Sequence, residues 1–195
     1  APEHVSAYCL SIELGTPFAR RAVAGERLDR TPEAQAEEYA WLRGRLAEAG
    51  YEQYELSNFA RPGRACRHNL RYWTGRAYAG FGPGAHSYLD GERSWNVRDV
   101  EAYAEALLAG RSPRAGRERL PADARARERL VFGLRLTAGV DLEAWSAETG
   151  YALDDLYDDT VARQIDAGRL VLEDGRLRLH PSAYFVSDRV FAELV

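Results

Sequence analysis

The spacing of apolar and polar positions divides the chain into a first stretch of strands and helices, a polar connector and a helical last third. His4 to Ile12 (HVSAYCLSI) is a near-continuous apolar, β-prone run, the pattern of a strand covered on both faces in a parallel sheet. Glu13-Leu14-Gly15-Thr16-Pro17 ends it with turn residues. Thr31-Pro32-Glu33 then supplies a hydroxyl cap, a first-turn proline and an acid, which together start a helix. Tyr39, Leu42 and Leu46 recur at helical spacing until Gly50 stops it. Tyr51 to Leu56 reads as the next strand, and the strand-helix-strand order predicts a right-handed parallel crossover.

Further on, Ser94 to Val97 reads as a short strand and Asp99 to Ala109 as a helix ending at Gly110. Arg111 to Pro121 (RSPRAGRERLP) is polar, arginine-rich and bounded by proline, a linker or a strap across the surface. Helical patterns follow over Ala122 to Leu136, Asp141 to Thr149 and Asp154 to Ala167, the last stopped by Gly168. Leu170-Val171-Leu172 and Leu177-Arg178-Leu179 flank an Asp174-Gly175 pair, a strong hairpin signal. A helix over Ser182 to Leu194 closes the chain. Three helices, a hairpin and a helix predict a small winged-helix-like domain. The expected organisation is 1–110, a linker at 111–121, and a C-terminal domain over 122–195.

Composition narrows the class without choosing a function. The chain has 195 residues, 46% of them apolar and 29% charged, with a net charge of -4. No run approaches the roughly 20 apolar residues of a membrane span, and the N-terminus lacks the charged and apolar regions of a signal peptide. The expected location is therefore the cytoplasm, where the two cysteines, Cys9 and Cys66, would be reduced thiols. Mild acidity argues against nucleic-acid binding, which needs a basic face. The helix opening with Asp154, Asp155, Asp158 and Asp159 would repel phosphate where a recognition helix needs cations. All 26 basic residues are arginine, and methionine is absent, so the chain is expected to be part of something longer.

Chemistry concentrates between Tyr54 and Ser87, which holds Cys66, His68, Tyr72, Trp73 and His86 with a run of glycines. One cysteine beside one histidine falls short of a tetrahedral zinc site, which takes three or four such ligands. A haem iron needs only one or two protein donors, and Tyr72 and Trp73 add flat apolar surface suited to a porphyrin face. The blander and commoner arrangement has His68 hydrogen-bonded within a turn and the aromatics in the core; residue types alone leave both open. Gly80-Phe81-Gly82-Pro83-Gly84 matches neither a P-loop nor the dinucleotide fingerprint, though glycines let backbone approach a ligand closely. Ser11 and Glu13 draw notice by location, since parallel α/β folds bind ligands beyond the carboxyl ends of their strands. His4 and His180 carry no supporting context and read as surface residues.

Taken together, Tyr54-Glu55-Leu56-Ser57-Asn58-Phe59-Ala60, Cys66-x-His68-Asn69-x-x-Tyr72-Trp73 and Gly82-Pro83-Gly84-Ala85-His86-Ser87 resemble the HemW family. His4 to Pro17 resembles that family at the strand leading to its Glu-x-Gly-Thr-Pro turn, and the last third resembles its small C-terminal domain. These are radical S-adenosylmethionine (SAM) proteins, regarded as haem chaperones and related to oxygen-independent coproporphyrinogen III oxidase. The resemblance implies a mixed α/β fold, α+β overall: the C-terminal part of a partial radical-SAM (β/α) barrel followed by the winged-helix-like domain. It implies His68 as the haem-contacting residue and candidate ligand of the haem iron, with Tyr72 and Trp73 beside it, and Ser11 and His86 near SAM. The family's Cys-x-x-x-Cys-x-x-Cys motif for a 4Fe-4S cluster is not present in these residues, so no cluster ligands are expected in this chain, nor catalytic competence by it alone. The implied cofactors are haem and, in the full-length protein, SAM and the cluster. The implied partners are haem-receiving clients, with peripheral association to a membrane-bound client. Open sheet edges favour a homodimer. The competing reading is an oxidoreductase that decarboxylates coproporphyrinogen III in porphyrin biosynthesis.

Overall fold

The computed structural model describes residues 1–28 and 30–195. Among the described residues, its framework is three separate three-stranded antiparallel sheets with helices packed around them, and no barrel closes. The first sheet has the order β1-β3-β2, from β1 (His4–Ser6), β2 (Glu52–Glu55) and β3 (Asn58–Ala60). Two helices lie between β1 and β2: α1 (Pro17–Val23) and α2 (Pro32–Glu48). Thr16 and Thr31 cap them, each hydroxyl accepting from the amide three residues on, and each helix begins on a proline. The end of α2 follows the expectation, with Gly50 in the left-handed region at φ 79°.

The parallel crossover does not form as a neighbouring pair. β1 and β2 do point the same way, but β3 lies between them and is antiparallel to both. The cause is a tight reversal at Leu56-Ser57, fixed by the Glu55 side chain, whose Oε1 accepts from the Ser57 amide at 2.8 Å and from the Asn58 amide group. Ordered strand also stops at Ser6, where the sequence pattern runs to Ile12. Ala7 still donates to the Ser57 carbonyl at 2.8 Å; Tyr8, Cys9, Leu10 and Ser11 beyond it are exposed.

A short helix α3 (Arg67–Trp73) follows, and then a sheet of order β4-β5-β6. β4 (His86–Leu89) and β5 (Glu92–Asn96) form a hairpin, and α4 (Val100–Leu108), capped by Asp99, leads to β6 (Arg114–Glu118). The expected linker thus contains the third strand of this sheet, paired with β5 in the register Trp95↔Gly116. Gly116 is required there, because a Cβ would collide with the Trp95 indole.

The last third matches the winged-helix pattern. α5 (Ala122–Leu134), β7 (Val140–Asp141) and α6 (Leu142–Thr149) are followed by α7 (Leu153–Tyr157) and α8 (Thr160–Asp166). The hairpin β8 (Leu170–Glu173) and β9 (Arg176–Leu179) completes a sheet of order β7-β9-β8. The single helix expected over Asp154 to Ala167 is broken at Asp158, which takes φ 42°. The closing helix is likewise split, into a 3₁₀ turn over Pro181–Val186 and α9 (Ser187–Ala192). Leu130, Leu134, Trp145, Leu170, Leu177 and Val190 form one closed core here, each at most 1% exposed. Among the described residues no helix is long and apolar enough to cross a membrane.

Candidate functional site

α3 carries the His68-Asn69-x-x-Tyr72-Trp73 motif, and helical geometry sorts its residues by face. His68 and Tyr72 are four apart and therefore neighbours on one side. The Tyr72 hydroxyl and His68 Nε2 are hydrogen-bonded at 2.9 Å, with the rings edge to face at 5.0 Å. His68 is exposed and Tyr72 half-buried. Asn69 turns inward and donates from Nδ2 to the Tyr54 hydroxyl at 3.2 Å. That hydroxyl also meets His4 Nε2 at 2.9 Å, so His4 is half-buried and tied to the motif, where the sequence suggested a free surface residue. Burial pushes the Tyr54 hydroxyl's pKa up, and the hydrogen bonds from Asn69 and the Cys66 backbone partly offset it. Asn69 is therefore the anchor that docks α3 on the β1-β3-β2 sheet.

Trp73 faces α5. Its indole meets Phe132 edge to face at 6.1 Å, and the Arg135 guanidinium lies 4.4 Å from its ring centroid. Trp73 Nε1 is buried without a hydrogen-bond partner among the described residues. Arg135 approaches Glu55 Oε2 at 3.9 Å, too far for a good ion pair, and the fully buried Glu55 keeps that oxygen otherwise unpartnered. The motif helix, the buried Glu55 and the end of α5 thus form one polar-aromatic seam.

Beside the seam, a cleft of about 410 Å³ opens between α3 and α5. Tyr72, Trp73, Tyr78, Tyr88 and Phe132 supply its flat walls. Tyr72 and Tyr78 pack edge to face at 4.5 Å, and burial raises the Tyr78 hydroxyl's pKa. A volume in the few-hundred Å³ range and aromatic walls are what small-molecule sites offer. The sequence reading found Tyr72 and Trp73 but missed Tyr78, Tyr88 and Phe132. They come from separate elements and share no local motif; the signal available was a density of aromatics flanking the glycine loop.

The other expected residues lie apart from this cleft. His86, at the start of β4, is exposed and stacks on Trp95 at 5.9 Å, lining a shallow groove with Arg98. Ser11 is exposed on the irregular segment after β1 and shares no cavity with His86 among the described residues. The glycine loop is fastened to the protein itself: Gly82 donates to the Tyr103 hydroxyl at 3.1 Å, and Gly84 to the Val97 carbonyl at 2.8 Å. Ser87 Oγ accepts from the Gly80 amide at 2.9 Å, and a Cβ on Gly80 would strike the His86 carbonyl. Gly80 thus serves close backbone packing, while Gly82 and Gly84 serve the turn through positive φ, 103° and 67°.

A haem fits the α3 face and its cleft by the chemistry present: an exposed imidazole, a tyrosine hydroxyl, aromatic walls and an orphaned indole N–H. A 4Fe-4S cluster does not fit the residues present, since Cys9 is exposed after β1, Cys66 precedes α3, and the described residues hold no group of three His, Cys, Asp or Glu placed for a metal. The Cys9 thiol is also held above its usual pKa by partial burial and by Glu38, the reverse of a thiolate ligand's need.

Comparison with known proteins covers nearly the whole chain. A family model described as the HemN C-terminal domain matches residues 120–186. Over 187 residues the chain is 39% identical to the haem chaperone HemW of Mycobacterium tuberculosis, covering 96% of this chain and 44% of that protein. The Bacillus subtilis haem chaperone HemW is 32% identical over 190 residues, 97% of this chain and 50% of that one. In Bos taurus, the mitochondrial radical S-adenosyl methionine domain-containing protein 1 is 33% identical over 207 residues, 99% and 46% of the two chains. The chain thus spans about half the length of the curated relatives it matches. Among solved structures, coproporphyrinogen III oxidase (HemN) from Escherichia coli, a radical SAM enzyme, superposes with a TM-score of 0.76 over 100% of this chain and 48% of that one. At 13% identity that likeness concerns the fold alone, and it bears out the expected mixed α/β class.

Proposed function

The chain belongs to the HemW-like radical SAM family, and from that premise we propose that it supplies the haem-contacting part of a cytoplasmic protein that binds haem and delivers it to client proteins. The observation that carries the reading is the exposed His68 hydrogen-bonded to Tyr72, which itself lines an aromatic cleft. His68 is the residue that would hold the iron and Tyr72 the one that would orient it; haem bound there supplies the cargo. The Tyr72 hydroxyl engages His68 Nε2 at 2.9 Å and so fixes the imidazole's orientation, which is how Tyr72 would support His68 as the residue that would hold the iron. Trp73 and Phe132 keep water from the inner wall. SAM and a 4Fe-4S cluster belong to the full-length protein, with Ser11 and His86 as the residues of this chain nearest SAM. Haem-receiving proteins, including membrane-bound ones met peripherally, are the partners of this reading. A homodimer through the open edge of β1 is compatible with it.

Haem titration of the full-length protein with and without His68→Ala tests the assignment. The variant is expected to lose affinity at least about tenfold and to shift its Soret band. An unchanged spectrum and affinity would remove His68 from the site. Decarboxylation of coproporphyrinogen III is the competing activity, implied by the family's general relatedness to the oxidase. Turnover of that substrate with stoichiometric SAM consumption by the cluster-loaded protein would replace the chaperone reading.

A further inference from the structure

The cleft beside α3 has a charged rim as well as aromatic walls. Arg76, Arg93, Arg125 and Arg129 line it against Glu128 and Glu148, a surplus of two positive charges in a chain whose net charge is -4. Both carboxylates are already engaged. Arg93 binds Glu128 at 2.6 Å, and Arg129 binds Glu148 at 3.2 Å. The Arg93–Glu128 bond fixes β5 against α5, and the Arg129–Glu148 bond fixes α5 against α6, so these pairs build the walls. The guanidinium groups of Arg76 and Arg125 have neither an ion pair nor a hydrogen bond among the described residues, and both side chains reach solvent.

A flat apolar wall alone would accept any planar ring. Adding two unengaged arginines selects a ring that carries two anionic groups, and the planar guanidinium fork matches a carboxylate best. The same surplus opposes the sulfonium cation of SAM. We propose that this cleft holds the carboxylate-bearing edge of a planar tetrapyrrole, with Arg76 and Arg125 each binding one carboxylate. The inference rests on the haem reading above and adds to it the part of the ligand other than the metal. Tyr72 joins the two features, since it lines the cleft and its hydroxyl binds His68. Recognition then has two independent handles: an iron ligand on α3 and a dicarboxylate clamp on Arg76 and Arg125.

The test uses the full-length protein and three probes: hemin, hemin dimethyl ester and metal-free protoporphyrin IX. Loss of two charge-assisted contacts in Arg76→Gln/Arg125→Gln is expected to weaken hemin and protoporphyrin IX by about tenfold or more, and the dimethyl ester by less than about twofold. Arg76→Lys/Arg125→Lys keeps the charge and is expected to recover part of the affinity. Both arginines are exposed, so thermal unfolding of all variants should match the parent protein. Arginine-dependent binding of protoporphyrin IX with no His68-dependent change in the hemin spectrum would support the clamp and discard the iron-ligand role. Equal affinity of the parent protein for hemin and its dimethyl ester, unchanged in the glutamine variant, would overturn the clamp and leave His68 standing. Failure to bind any of the three would overturn both.

Discussion

The last third of the molecule and the part that precedes it are built to different standards. Beyond residue 120, α5, α6, α8, the β7-β9-β8 sheet and α9 close around one apolar core. Before residue 120, the buried apolar residues among those described are Ala19, Tyr51, Leu56, Phe59, Ala60 and Ala106; Leu56 packs into the C-terminal core and the others lie outside it. Meanwhile Tyr8, Leu14, Trp41, Phe81 and Leu108 are largely exposed, and α2 buries no residue fully. The candidate site lies where the thin part meets the dense one: α3 bears the histidine motif, and α5 is the wall it rests on. The dense part carries most of the closed core, and the candidate site draws residues from both sides, α3 leaning on the rigid α5 for its order.

The largest effect should come from the dense side. Trp145 is 1% exposed and donates from Nε1 to the Ala126 carbonyl at 3.1 Å. Trp145→Ala is expected to cost about 3–5 kcal/mol in urea denaturation, whereas Trp41→Ala, at an indole 67% exposed, should stay within about 0.5 kcal/mol. Similar losses from both would erase the contrast.

The seam itself comes next. Glu55→Ala leaves the Ser57 and Asn58 amides without their buried acceptor and should cost about 3 kcal/mol. A double-mutant cycle with Arg135→Leu should give a coupling of about 1–2 kcal/mol. Zero coupling would mean that the thin and dense parts dock without this contact. Gly175 adopts φ 72° in the turn between β8 and β9, so Gly175→Ala should cost about 1 kcal/mol by the same assay.

The smallest effect carries the opposite sign. Tyr157 is buried, its hydroxyl has no partner among the described residues, and burial raises its pKa above the tyrosine range, with Arg127 over its ring drawing it back. Tyr157→Phe removes an unsatisfied hydroxyl and should be neutral or stabilising by up to about 1 kcal/mol. A raised folded-state pKa leaves stability intact below the unfolded value near 10 and erodes it as pH rises further. Tyr39 and Tyr184 shift the same way, also by burial. Stability should therefore fall above about pH 10, and less steeply in Tyr157→Phe; a steeper fall would contradict the assignment.

The dense part was the more legible one. Asp141 before Leu142 and the Asp174-Gly175 pair are local signals with local consequences, and the structure contains both the cap and the turn. The break at Asp158 was hidden, because an aspartate in a left-handed conformation carries no distinguishing pattern in a run of acids. In the thin part, His4 to Ile12 read as one strand because apolar residues that remain exposed look the same as buried ones. The segment 111–121 read as a connector because β6 (RAGRE) has no apolar alternation, its Arg114 and Arg117 being separated by Ala115 and Gly116 and both reaching Glu92 across the sheet. At the site, His68, Tyr72 and Trp73 sit within one helical turn and a half and were visible; the cleft was not. Arg76, Arg93, Arg125 and Phe132 converge from separate elements, and only the packing of α3 on α5 brings them together.

The central claim is that His68 on the thin side holds haem iron, and resonance Raman spectroscopy of the haem-loaded full-length protein tests it most directly. An iron–imidazole stretching mode present in the parent protein and absent in His68→Ala is the result expected. The same mode persisting unchanged in the variant would contradict it.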